Sequence, residues 1–158
     1  MEPNAVTFFV PGKPEPQGSA RAFVVKGKPV VTSDNPEVKS WRGVVTTAAS
    51  TAMGGRPPEP DGPVTVHIVF VMPRPKSHPK TRKLPHTKKP DLDKLVRAVF
   101  DGLTAVVFRD DSQVTTVIST KHYAMEGEAP GAQVMVLLPP EKGSLLDVFA
   151  HELTGEED

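Results

Sequence analysis

The chain has no cysteine in its 158 residues. That excludes disulfides and thiolate metal sites, and it fits a reducing compartment. No apolar run approaches the length of a membrane span, and the N-terminus lacks the pattern of a secretory signal. These absences lead us to expect a soluble, intracellular, cytoplasmic protein with no membrane partner. Net charge is also lacking, since 19 Lys and Arg balance 19 Asp and Glu. The charges are nevertheless segregated. Between Arg74 and Arg97 there are nine basic residues against two acids, Asp91 and Asp93. After Pro140 six acids face the single Lys142. A neutral chain polarised in this way still steers a polyanion through its local field. The length suits one domain with a proper core over residues 1–140, followed by an acidic tail over 141–158.

Hydropathy spacing marks strands and two main helices, and the expected fold is α+β with a mixed sheet and the two helices packed on it. Val6 to Val10 reads as a first strand ended by Pro11-Gly12, and a Pro- and Gly-rich basic loop runs from Lys13 to Arg21. Ala22–Val25 and Pro29–Thr32 flank Lys26-Gly27-Lys28 as a small hairpin. Pro36 suits the first position of a helix that carries Val38, Trp41, Val44, Val45 and Ala48 and is closed by Gly54-Gly55. Val64 to Met72 alternates as a strand. Five prolines between Pro73 and Pro90 argue for a long basic loop, and loops of that length in compact domains are functional or disordered. Leu92, Leu95, Val96, Val99, Phe100 and Leu103 form the apolar stripe of a second helix, with Asp93, Arg97 and Asp101 stepping by four on another face. Val106 to Phe108 reads as extended, Asp110-Asp111 as a turn, and Val114–Tyr123 and Ala132–Leu138 as strands. In the tail, Leu145, Leu146, Phe149 and Leu153 are spaced for a helix or lie on a mobile segment.

Four acids dominate the functional reading. Asp91 and Asp93 start the second helix, and Asp110 and Asp111 follow it. One explanation is structural: Asp91 as an N-cap, Asp93 complementing the helix dipole, and Asp110-Asp111 as turn residues. Capping, however, needs one acid rather than two separated by a single residue. If the chain folds back, all four meet and hold a hard divalent cation, which prefers carboxylate oxygens. Such a cation also relieves their mutual repulsion. A basic tract directly upstream then places phosphate beside the metal.

The stretch from Lys89 to Arg97 (Lys-Pro-Asp-Leu-Asp-Lys-Leu-Val-Arg), then Phe100-Asp101-Gly102-Leu103, then Asp110-Asp111-Ser112-Gln113-Val114, resembles the RusA family of Holliday-junction resolvases. Val71-Met72-Pro73 and Phe8-Phe9-Val10-Pro11-Gly12-Lys13-Pro14 agree with its flanks. The resemblance spans roughly residues 6 to 138 and is specific at 89 to 114. It implies a RusA-like homodimeric endodeoxyribonuclease of bacterial or phage-type context. Such an enzyme resolves four-way DNA junctions by paired nicks in recombination and repair, using Mg²⁺ with Mn²⁺ as a substitute. By position the catalytic acids are Asp91, Asp93 and Asp111, with Asp110 a further metal-site acid. The family lysine falls on Arg97. Lys94 stands where the family usually has Asn. Arginine stays protonated and cannot serve as a base, but it binds phosphate and stabilises negative charge, a task Lys94 is placed to share.

Arg74, Lys76, Lys80, Arg82, Lys83, Lys88 and Lys89, together with Lys94, are candidates for contact with the DNA backbone. A solvated loop is the competing reading for any single one of them. Lys13 and Arg21 are weaker candidates. His78 and His86 are possible metal ligands, though a polar loop favours simple exposure. Two alternatives stay open. One is a branched-DNA binding module in which the change to Arg97 has removed catalysis. The other is a structural cation site in a protein that binds no nucleic acid.

Overall fold

The computed structural model describes residues 4–18, 21–32 and 36–140, so the acidic tail lies outside the described residues. The order of elements is β1 (Ala5–Pro11), β2 (Arg21–Val25), β3 (Lys28–Thr32), α1 (Pro36–Met53), β4 (Val64–Met72), α2 (Leu92–Leu103), a single 3₁₀ turn (Asp111–Gln113), β5 (Val114–Tyr123) and β6 (Gly131–Leu137). Four strands form one sheet in the order β1-β6-β4-β5, and β2 and β3 form a separate ribbon. β4 and β5 run parallel, while β6 is antiparallel to both β1 and β4. The sheet is therefore mixed and carries two helices, as expected.

The alternation in β4 sets the layers. Val64, Val66, Ile68 and Phe70 are buried, while Thr65, His67 and Val69 on the other face are only half-buried. Val6, Phe8 and Val10 of β1 and Ala132, Val134 and Val136 of β6 join the buried face. α1 contributes Trp41, Val45, Ala49 and Met53 to the same cluster, and α2 contributes Leu95, Ala98, Val99 and Leu103. One face of the sheet is thus sealed by helices through apolar burial. The other face remains partly open, with Phe9 and Ile118 exposed.

α1 and α2 meet where Gly102 leaves room. A Cβ built there would lie 2.7 and 2.8 Å from the Val45 side chain and 3.2 Å from the Arg42 carbonyl. The Thr46 hydroxyl donates to the Gly102 carbonyl at 2.7 Å, which fixes this crossing. Gly102→Val is expected to destabilise the protein by about 2–3 kcal/mol through overpacking. Urea unfolding measures this, and adding Val45→Ala should restore part of the loss; an unchanged midpoint in the single variant contradicts the close approach.

One element differs from its expectation. Val106 to Phe108 is a compact turn, not an extended segment. The Val106 and Val107 amides return to the Leu103 carbonyl at 3.1 and 2.9 Å, and Ala105 N–H donates to the Phe108 carbonyl at 2.7 Å. Its apolar side chains plug the end of the core, with Val107 and Phe108 fully buried.

Candidate catalytic and DNA-binding surface

β4, α2 and β5 form a unit in which α2 carries the chain back between two parallel neighbours. Asp91 occupies the N-cap position of α2 with extended backbone, yet its side chain makes no capping hydrogen bond. Its carboxylate thus does not make the bond that an N-cap role alone would give it. It lies 3.8 Å from the Lys94 ammonium, and both side chains are substantially exposed. Asp93, in the first turn, is exposed and complements the helix dipole. Arg97 is exposed one turn further on, and among the described residues it makes no ion pair with Asp93 or Asp101. Arg42 instead approaches Asp101 at 3.9 Å.

Asp110 and Asp111 sit at the other end of the unit. Asp110 caps the short 3₁₀ turn: its Oδ1 accepts the Ser112 N–H at 2.8 Å, and the Gln113 side chain accepts the Asp110 N–H at 2.9 Å. These bonds from Ser112 hold its carboxyl below the ordinary aspartate range. Gln113 Nε2 in turn donates to the carbonyls of Glu59 and Gly62, which ties the turn to the start of β4. Asp111, the next residue, is exposed.

The two acid pairs are therefore held apart within one chain. α2 has 12 residues, and a helix of that length spans about 18 Å. Among the described residues no group of three or more Asp, Glu or His is close enough to bind a metal ion. The expected meeting of all four acids by simple folding back is not seen among the described residues of the chain, because a rigid helix separates them.

A cleft of about 330 Å³ opens beside Asp91, lined by Lys13, Glu15, Lys89 and Lys94 and by Pro14, Pro16 and Pro90. Gln17 N–H donates to the Lys94 carbonyl at 3.0 Å and fastens the first loop to α2. Lys13 thus stands at the acids, a stronger position than its isolated place in the sequence suggests. Three lysines line this cleft with two carboxylates, Lys13 lying 3.7 Å from Glu15 and Lys94 3.8 Å from Asp91, and Lys89 adds a further positive charge suited to a phosphate.

The basic loop is an ordered strap. Leu84 accepts from the Tyr123 amide at 2.9 Å, His86 N–H donates to the Lys121 carbonyl at 3.2 Å, and Lys80 accepts from the Glu126 amide at 2.8 Å. Lys76, Lys80, Arg82, Lys83, Lys88 and Lys89 all remain exposed, while Arg74 is half-buried and donates to the His78 carbonyl at 3.3 Å. The two loop histidines depart from simple exposure. His86 is buried and His78 half-buried, with ring centroids 4.7 and 4.6 Å from that of Tyr123.

Burial, followed by the nearby Lys121 charge, pushes the His86 pKa below the usual histidine value. The unfolded chain then takes up this proton first. The contribution of neutral His86 is fully present above the ordinary histidine range near 6.5 and is lost as pH falls toward its lower folded value. Stability to urea should therefore decrease on acidification through that window, with a smaller decrease in His86→Phe. Equal pH slopes for the two proteins would contradict the burial.

A family model for endodeoxyribonuclease RusA matches residues 11–136. An uncharacterized protein of Bacillus subtilis strain 168, YqaN, is 32% identical over 144 residues, covering 84% of this chain and 96% of the relative. Both matches take in β4, the basic strap, α2 and the turn with Asp110 and Asp111.

Proposed function

Because the chain belongs to the RusA endodeoxyribonuclease family, we propose that it resolves four-way DNA junctions by paired, Mg²⁺-dependent nicks and acts as a two-fold dimer. The observation that carries this reading is the Asp91 carboxylate, placed at a helix start and left without a capping bond. Asp91 and Asp93 supply hard oxygen donors that fit Mg²⁺, with Mn²⁺ as a substitute. When bound, the cation supplies charge neutralisation and an activated water for phosphodiester hydrolysis.

The remaining work falls to the chain's own side chains. Lys13, Lys89 and Lys94 hold a phosphate against the acids. Arg97, on the exposed face of α2 and free of ion pairs among the described residues, binds the scissile phosphate and stabilises its growing charge. The strap residues Lys76, Lys80, Arg82, Lys83 and Lys88 track the flanking backbone and make affinity depend on salt.

The separation of the acid pairs accounts for the dimer. β5 is an edge strand, and the strap covers only its end, through the Pro85–His122 bridge and the adjoining hydrogen bonds. Midway between the acid pairs this edge exposes Val117 and Ile118, at 45% and 53%. Exposed apolar edge strands invite pairing. A two-fold axis at Val117 runs two β5 strands antiparallel and brings Asp110 and Asp111 of one copy toward Asp91 and Asp93 of the other. The result is two equivalent sites for two equivalent strands.

Incubation of a synthetic four-way junction with the protein and Mg²⁺ tests the reading. Nicks on opposed strands, with linear duplex of the same sequence left intact, are expected. Salt-sensitive junction binding without nicks in Mg²⁺ or Mn²⁺ would leave only the binding-module alternative.

A further inference from the structure

We infer that Lys121 is a positioning residue for the Asp91 end of this site, an inference that rests on the nuclease reading above. Lys121 belongs to β5, outside the acid motifs. Its ammonium donates to the Lys88 carbonyl at 2.7 Å and to the Pro90 carbonyl at 2.7 Å. These two carbonyls flank Lys89, and the second is joined directly to Asp91. The Lys121 main-chain carbonyl also accepts from the His86 amide. One strand residue therefore grips the last turn of the basic strap with both its backbone and its side chain.

The grip matters because of what Asp91 lacks. An N-cap side chain is ordinarily held by its bond to a helix amide. Asp91 has no such bond, and its one side-chain neighbour, the Lys94 ammonium at 3.8 Å, is an exposed pair, so the direction of its carboxylate depends largely on where the backbone at Pro90 is held. On the helix side, the Asp91 carbonyl is held by the Leu95 amide at 3.2 Å. On the sheet side, the charged bond from Lys121 holds Pro90. Bonds from an ammonium are shorter and stronger than neutral ones. Lys121 is half-buried, and removing its charge leaves two carbonyls without their donor. The same bonds fix Lys89, which lines the cleft beside Asp91. Catalytic groups tolerate only small displacements, so loss of this brace reaches the chemistry without touching the metal or the DNA.

Lys121→Met, which keeps length and removes the donor, is the test, with Lys121→Arg as the conservative partner. Hydrogen exchange on the metal-free protein reads the brace directly. Exchange over residues 84–95 is expected to quicken roughly tenfold in Lys121→Met, with β1 and β6 unchanged. Junction nicking should fall roughly thirtyfold at saturating substrate, with junction affinity within about threefold and the Mg²⁺ needed for half-maximal rate increased. Lys121→Arg should recover most of the rate. Unchanged exchange in Lys121→Met removes the brace, and faster exchange with a wild-type nicking rate removes the positioning role. A loss of affinity in step with rate, with a shallower salt dependence, makes Lys121 a DNA contact instead and also overturns the inference. If Lys121→Met does not fold, Lys121→Gln carries the same comparisons. If the wild-type protein cuts no junction, the nuclease reading falls while the exchange measurement still decides the brace.

Discussion

Asp93→Asn is expected to lower junction nicking by about 10³-fold or more while changing junction affinity by no more than about threefold. Asparagine keeps the shape of the side chain and its hydrogen-bonding capacity but removes the charge that a hard cation requires. Asp93 is exposed in the first turn of α2, with no structural partner among the described residues that the change would strand. The helix loses only a favourable dipole interaction, about 0.3–1 kcal/mol, so the fold persists. In the proposed complex the basic strap holds the DNA, and removing one nearby negative charge does not weaken that grip. Rate constants at saturating junction, with binding measured separately in Ca²⁺, separate the two effects. Wild-type nicking by this variant would place the metal elsewhere, and a parallel loss of binding would make Asp93 a folding or docking residue.

The second large effect concerns mixed dimers. Asp93→Asn and Asp111→Asn are each expected to be inactive as homodimers. In a two-fold dimer with shared sites, a mixed dimer of the two variants concentrates both defects in one site. The other site then has an intact Asp93 from one subunit and an intact Asp111 from its partner. Nicking should return from background to about half the wild-type rate, one site of two. If each site were built within one subunit, every site in the mixed dimer would carry a defect and activity would stay at background. Differently tagged subunits purified as the mixed species and assayed on a labelled junction decide between these results. The prediction depends on the length of α2, which keeps the acid pairs apart in each chain, and on the apolar middle of the β5 edge.

Elements that follow simple spacing are legible in the sequence. β4 alternates from Val64 to Phe70, and the apolar stripe of α2 includes Leu95, Val99 and Leu103, which reach the core together with Ala98. Order within the sheet is not legible there, because β6 enters between β1 and β4 through pairings that no local pattern announces. Val106 to Phe108 reads as extended because its residues favour strands, but the end of α2 captures its amides. His86 reads as exposed because its neighbours are polar, and its burial comes from Tyr123 on a strand remote in sequence. Asp110 carries a readable capping signal in Gln113, three residues on. Asp91 is also a residue type that favours a helix start, but Lys94 stands three residues on, and the folded chain shows that the capping bond is not made. Lys121 has no motif around it, and its significance arises from where β5 meets the end of the strap. The acids are close in sequence, and the helix between them is what puts distance between the pairs.

The most direct test of a two-site dimer acting on junctions uses a supercoiled plasmid that extrudes a cruciform. Two nicks within one encounter convert supercoiled plasmid straight to linear product. A single nick relaxes the plasmid, the cruciform is reabsorbed, and nicked circles accumulate. In Mg²⁺ linear product is expected from the earliest times, with none from Asp93→Asn. Nicked circles alone, or equal cutting of a plasmid without the cruciform, would contradict a junction-resolving dimer.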